Sequence, residues 1–286
     1  MILKNKLKRV FSPVIKWIIS NDFTWKIVSF FLRFDTWLRF ERSKHERWKA
    51  EEKLKIVFQD KIVRNGFVKG LKYGNFDSVG SSIFPKLLGS YEIELQPAFD
   101  RLKANDYRQI IDIGCAEGYY AVGLALQFSR SKVFAFDIDK KAVELCVELA
   151  AFNGLQDRVI LNDECTPSTI GNFDFAGPSL LICDCEGVER ELFTRSNMDK
   201  LRYTDLVIEL HPVAARDVKE YLTGLFSATH DIHFVSSQDN NRKIFDFKIF
   251  MADLNPLEQL ISVEEGRNFT MDWLIAESKS NKIKAG

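Results

Sequence analysis

From about residue 108 onward the chain alternates short apolar runs with longer amphipathic stretches. The runs Gln109–Ile113, Lys132–Phe136, Arg158–Leu161, Ser179–Cys183 and Asp205–Leu210 are rich in Ile, Val, Leu and Phe, with little polar alternation. Strands covered on both faces read this way, so the pattern predicts a parallel sheet between layers of helices. Glu117 to Phe128 and the stretch from Asp139 to Phe152 fill the gaps as helices, with Asp139 as the expected cap and Asn153-Gly154 as a left-handed stop. Asp231–Val235, Lys243–Met251 and Met271–Ala276 also read as strands, in an order that periodicity does not fix. A helix is expected over Ser90–Lys103, with Ser90 as its cap and Glu92 and Glu94 in its first turns.

The N-terminal part differs. Lys4, Lys6, Lys8, Arg9 and Lys16 fall in the first twenty residues with no acidic residue among them, and Trp17, Ile18, Trp25, Ile27, Phe30 and Phe31 recur at roughly helical spacing. Two readings stay open. One is an amphipathic segment resting on an anionic membrane; the other is a helical appendage packed on the main domain or on a second copy of the chain, as in a homo-oligomer. The Gly/Ser/Asn/Asp-rich stretch Gly70–Ser82 marks the boundary, giving a helical, basic and aromatic appendage at 1–75 and a main domain at 76–286.

Composition narrows the function classes. Apolar residues at 46% and charged residues at 28% describe an ordinary globular protein. Forty basic and forty acidic side chains cancel, so no net field draws the chain to nucleic acid, and none is expected as a partner. Five cysteines, an odd number set in apolar segments, point to reduced thiols and a cytoplasmic chain, peripheral at most to the inner face of a membrane. Cys183-x-Cys185 lacks a second ligand pair, so no zinc site is expected.

The chemistry concentrates after the first strand, in Asp112-Ile-Gly-Cys-Ala-Glu-Gly118-Tyr-Tyr. Gly114 permits a sharp strand-to-helix turn and Gly118 permits close approach. The dinucleotide fingerprint G-x-G-x-x-G fails, because Ala116 and Tyr119 replace its second and third glycines. A carboxylate at Asp112 is also unfavourable beside a pyrophosphate, so the turn favours S-adenosylmethionine over NAD. Asp137, nineteen positions after Gly118 and ending the second strand, suits ribose hydroxyls. Asp163, after the third strand, is a candidate for the adenine amino group and equally a solvated loop acid.

These stretches, with AFDID, CDCEGVERELF and VIELHP, resemble the FkbM-type methyltransferases of the class I S-adenosylmethionine-dependent fold. Asp184-Cys-Glu186-Gly187-Val-Glu189 is similar to that family's D-x-E-G-x-E signature. The resemblance covers roughly residues 108–212, with Arg267 and Trp273-Leu274 as an outlying match. It implies an α/β, Rossmann-like sheet of seven mostly parallel strands with the last antiparallel, S-adenosylmethionine as cofactor, and methyl transfer to oxygen. It further implies cofactor contacts from Asp112 and Gly114 and a ribose contact from Asp137. Cys115, Gly118 and Tyr119 in the same turn, Ile138 beside Asp137, and Glu92 over the pocket complete the cofactor candidates.

Methyl transfer from a sulfonium is an in-line displacement, which asks for alignment and, for a hydroxyl acceptor, a base. Asp184, Glu186 and His211 are the catalytic candidates, His211 being the better tuned near neutral pH. The acids Asp184, Glu186 and Glu209 are also candidates for Mg²⁺, although pairing with Arg190 or Arg195 explains them as well, and no metal is assigned. The expected function is therefore O-methylation of a small hydroxylated acceptor such as a sugar or glycan. A non-catalytic scaffold that keeps the cofactor pocket is the alternative, and an NAD-dependent oxidoreductase is disfavoured. Glu117 has no evident role in this reading.

Overall fold

The computed structural model describes residues 12–175, 177–211, 215–267 and 270–282; the basic positions Lys4, Lys6, Lys8 and Arg9 lie outside them. The chain divides into two compact units, Met1–Lys53 and Leu54–Gly286.

The second unit is built on one seven-stranded sheet. Its strands are β1 (Gln109–Ile113), β2 (Lys132–Phe136), β3 (Val159–Asn162), β4 (Ser179–Cys183), β5 (Thr204–Leu210), β6 (His230–Ser236) and β7 (Asp272–Ser278). The order is β3-β2-β1-β4-β5-β7-β6, with β7 antiparallel to both neighbours and every other pairing parallel. This is the Rossmann-like sheet of seven mostly parallel strands, the last antiparallel, that the resemblance implied. Every residue of β4 and β5 is buried, which accounts for their continuous apolar reading. Strand order reverses between β1 and β4, and open sheets of this kind hold ligands beyond the carboxyl ends at such a switch point.

The helices around the sheet follow local signals. Asp139 caps the helix Lys140–Phe152 by accepting from the Lys141 N–H at 2.9 Å. At its other end the left-handed residue is Gly154 (φ +68°), one place beyond Asn153.

Two expected elements are corrected. Lys243–Met251 is not a strand: it forms the helix Asn240–Asp246 and a 3-10 turn at Lys248–Met251. Asp239 caps that helix through the N–H groups of Asn241 and Arg242. The buried positions are Lys243, Phe247, Met251 and Leu254, a helical spacing, whereas Phe245, Ile249 and Phe250 are exposed. Ser90–Lys103 is likewise not one helix. Glu92 takes a left-handed conformation (φ +48°), so only a 3-10 turn at Ile93–Leu95 and the helix Gln96–Leu102 form. The Ser90 hydroxyl donates to the carbonyls of Pro85 and Ser262 and caps nothing.

In the first unit, residues 12–20 are helical. Asn21 then opens the 36-residue helix Asp22–Val57, its side chain accepting from the N–H groups of Phe23 and Thr24 at 3.0 and 3.2 Å. Among the described residues no helix is long and apolar enough to cross a membrane.

Candidate active site

The carboxyl ends of β1, β2 and β4 open into a cavity of about 400 Å³. Gly114, in the turn after β1, makes its shape feasible. Gly114 is left-handed (φ +80°), and a Cβ there would stand 1.7 Å from the Asp184 carbonyl oxygen. Asp184 N–H in turn donates to the Ile113 carbonyl at 2.9 Å, so the loops after β1 and β4 are in direct backbone contact.

Of the proposed cofactor residues, Gly114, Cys115, Tyr119, Asp137, Ile138 and Asp163 line this cavity. Asp137 accepts from the N–H groups of Ala116 and Asp139, both at 2.8 Å, one on each carboxylate oxygen. A carboxylate has about four acceptor sites, so acceptor capacity remains for a ligand's hydroxyls. Tyr91, Tyr119 and Tyr120 add an aromatic wall; the Tyr91 and Tyr119 rings meet edge to face at 5.1 Å.

Three others lie elsewhere. Gly118 faces the neighbouring helix, where an added Cβ would come within 2.6 Å of Cys146 Sγ, so packing requires this glycine. Asp112 is buried in β1 and does not line the cavity. Burial pushes its carboxyl up to about 7, and the charges of Asp137 and Glu117 add to this against an N–H contact from Ala121. The sign for stability follows. The folded protein keeps a proton that the unfolded chain has already lost, so stability falls as pH rises from the ordinary carboxyl range towards 7. Asp112→Asn is expected to flatten that slope, as urea denaturation at about pH 5 and about pH 8 would show; an unchanged slope would reject the assignment.

Glu92, the third, is buried within an ionic network rather than in the cavity wall. It accepts from Arg267 and from the Tyr120 hydroxyl, and its own N–H donates to Glu265 at 2.8 Å. Burial pushes Glu92 up to about 8 in spite of Arg267. Arg267 also donates to Glu209 and Glu265, so one guanidinium serves three carboxylates. The basic partner of Glu209 is therefore Arg267, not Arg190 or Arg195.

The catalytic candidates come together. Asp184 and Glu186 line the cavity, and His211 lies behind them at the end of β5. His211 Nδ1 donates to Glu189 Oε1 at 2.7 Å, and Glu189 is fully buried. That bond fixes the tautomer and leaves Nε2 facing Asp184 Oδ1 at 3.4 Å, Glu209 Oε2 at 3.4 Å and Glu186 Oε2 at 3.5 Å. Burial pulls His211 down, but the Glu189 bond and the charges of Glu209, Glu189 and Glu186 outweigh it and hold the ring above its ordinary value. Asp184 is held well above the carboxylate range by burial and by its neighbour Glu209. Asp184, Glu186 and His211 each offer a ligand atom within 4.8 Å of the others'.

Sequence reasoning assigned nothing to Glu117 and passed over Lys86. Both are buried and form an ion pair at the cavity. The Glu117 carboxylate also accepts from the Tyr73 hydroxyl at 3.3 Å, the Ser78 hydroxyl at 3.2 Å and the Val79 N–H at 3.1 Å. It thereby fastens the β1 turn to the segment that roofs the cavity. A charged residue in an otherwise small and aromatic turn was the one available signal.

Residues 98–176 match the family model of the methyltransferase small domain. A comparison with curated proteins finds no match. Solved structures similar to the chain include a putative O-methyltransferase from Klebsiella pneumoniae, at 11% identity over 65% of this chain and 79% of that one, with TM-score 0.43. An rRNA methylase from Streptococcus thermophilus matches at 16% identity over 65% and 97% of the two chains, with TM-score 0.42. A geranyl diphosphate methyltransferase in complex with GPP and sinefungin matches at 13% identity over 64% and 77%, with TM-score 0.38. At such identities the matches fix no substrate; the fold rests on the strand order above.

Proposed function

We propose that the chain is an S-adenosylmethionine-dependent O-methyltransferase acting on a small hydroxylated acceptor such as a sugar or glycan. The observation that carries this reading is a single cavity that joins a Gly114–Asp137 cradle to Asp184 and Glu186, with His211 Nε2 set against both carboxylates. Its volume of about 400 Å³ is in the range of small-molecule sites. Gly114 and Cys115 provide a close-approach backbone wall, Asp137 receives the ribose hydroxyls, and Tyr119 and Ile138 flank the base, with Asp163 at its edge. When bound, the cofactor supplies an electrophilic methyl group on a sulfonium. The chain's own residues do the rest: Asp184 and Glu186 hold the acceptor hydroxyl, and His211 Nε2 takes its proton while Glu189 steadies the ring.

Titration calorimetry tests the cofactor assignment before an acceptor is known. S-adenosylmethionine is expected to give heat where NAD gives none, and Asp137→Ala is expected to weaken it by about 10- to 100-fold, the worth of one or two charge-assisted hydrogen bonds. No heat with S-adenosylmethionine would overturn the reading.

A second reading of the cluster is favoured by the mutual reach of the Asp184, Glu186 and His211 ligand atoms. Oxygen and imidazole donors suit a divalent cation that lowers the acceptor hydroxyl's pKa. In that case exhaustive chelation abolishes methyl transfer and added Mg²⁺ or Mn²⁺ restores it; full activity after chelation leaves His211 as the base.

A further inference from the structure

Zero net charge conceals a segregation. Unit Met1–Lys53 holds thirteen Lys and Arg against six Asp and Glu, so the rest of the chain carries the opposite excess. The same unit holds four of the five tryptophans, Trp17, Trp25, Trp37 and Trp48, all exposed, while Trp273 lies buried in β7.

The helix Asp22–Val57 arranges its apolar residues unevenly. At 3.6 residues per turn Phe23, Ile27, Phe30, Phe34, Trp37 and Leu38 fall on one stripe with no polar residue in it. These six are between 44% and 72% exposed. Exposed Lys26 and Arg33 run along one edge of the stripe. From Glu41 onward the same face is mixed, with Glu41, His45, Glu52 and Lys55 interrupting Trp48 and Ile56, so the averaged character of the full helix hides the stripe.

We infer that this stripe lies in the interface of an anionic lipid surface. Its length and chemistry favour lipid over a second copy of the chain. A coiled-coil seam of repeated Leu, Ile or Val needs three or four heptads. Here the unbroken stripe ends after about two and is mainly aromatic, with the helix beginning at Asp22 and Glu41 standing where the stripe would continue. Phe and Trp beside Lys and Arg are the composition of helices that lie in the headgroup region, and the basic excess of the unit matches an anionic surface. No described helix is suited to spanning, so the helix lies along the surface rather than across it.

The tryptophans provide the test. Trp37 is on the stripe, and Trp25 is on the opposite side of the same helix. The full chain is expected to float with phosphatidylcholine vesicles containing phosphatidylglycerol and to leave those of phosphatidylcholine alone. Its fluorescence shifts to the blue on binding; Trp37→Phe removes most of that shift and Trp25→Phe keeps it. Phe30→Glu with Phe34→Glu lowers partition at least about tenfold, and Lys26→Glu and Arg33→Glu each lower it about fivefold or more. All four positions are exposed, so folding is preserved. Three results would overturn the inference: no partition into anionic vesicles, partition indifferent to Phe30→Glu with Phe34→Glu, or a dimer in sedimentation that these changes dissolve while vesicles bind nothing.

Discussion

His211→Ala is expected to lower turnover by about 10²- to 10⁴-fold while cofactor affinity stays within about twofold, the signature of a lost general base. Turnover is read as transfer of labelled methyl to an acceptor found by screening hydroxylated sugars, and affinity by calorimetry. The separation follows from geometry. His211 faces Asp184 and Glu186, whereas the proposed cofactor cradle is Gly114, Cys115 and Asp137. The sign of the pH dependence also follows. A base works unprotonated, and the surrounding carboxylates hold His211 above its ordinary value near 6.5. The wild-type rate therefore rises with pH through a midpoint above that value. Glu189→Gln keeps an oxygen that can accept the Nδ1–H but removes the negative charge and with it much of that upward pressure, so the limb moves to lower pH and turnover falls. A merely structural Glu189 would leave the midpoint in place. Equal activity of His211→Ala and wild type would remove His211 as the base.

The second large effect is on stability. Lys86→Met leaves the Glu117 carboxylate buried with only neutral donors, and breaking a buried pair in this way costs about 3–5 kcal/mol. Urea denaturation of the single variants Lys86→Met and Glu117→Gln should show that loss, and the double variant should recover more than half of it, because neither charge is then left unpaired. Single variants within about 1 kcal/mol of wild type would show the pair to be dispensable. Lys86 also lines the cavity and lies 5.0 Å from the Tyr91 ring centre, so loss of the pair should weaken cofactor binding alongside stability.

What the sequence made legible was what is local. Continuous apolar runs marked β1 to β5, and Asp139 marked the start of its helix, because a cap and a buried strand depend on residues within a few positions. Lys243–Met251 misled because Ile244, Phe245, Phe247 and Ile249 imitate a strand, while the side chains that are buried follow a helical period. Glu92 was placed over the pocket on fold analogy. Its actual partners, Arg267 and Glu265, lie 175 and 173 positions away, and no local pattern announces such a bond. Glu117 is similar, held by groups 31 to 44 positions earlier. Asp184, Glu186 and His211 could be singled out as candidates because they follow β4 and β5, whose carboxyl ends must face the switch point.

The contact between Gly114 and the Asp184 carbonyl has a mechanical meaning. With 1.7 Å between an imagined Cβ and that oxygen, nothing can be interposed between the two loops, and the Asp184–Ile113 hydrogen bond ties them further. In the proposed function the loop that would grip the donor and the loop that would steer the acceptor thus form one stiff jaw. Whatever gives way to admit acceptors of different shape must be a rim outside these two loops, where Val79, Gly80 and Ser81 line the cavity. Altering acceptor preference is therefore a matter of rebuilding that rim while leaving the jaw untouched.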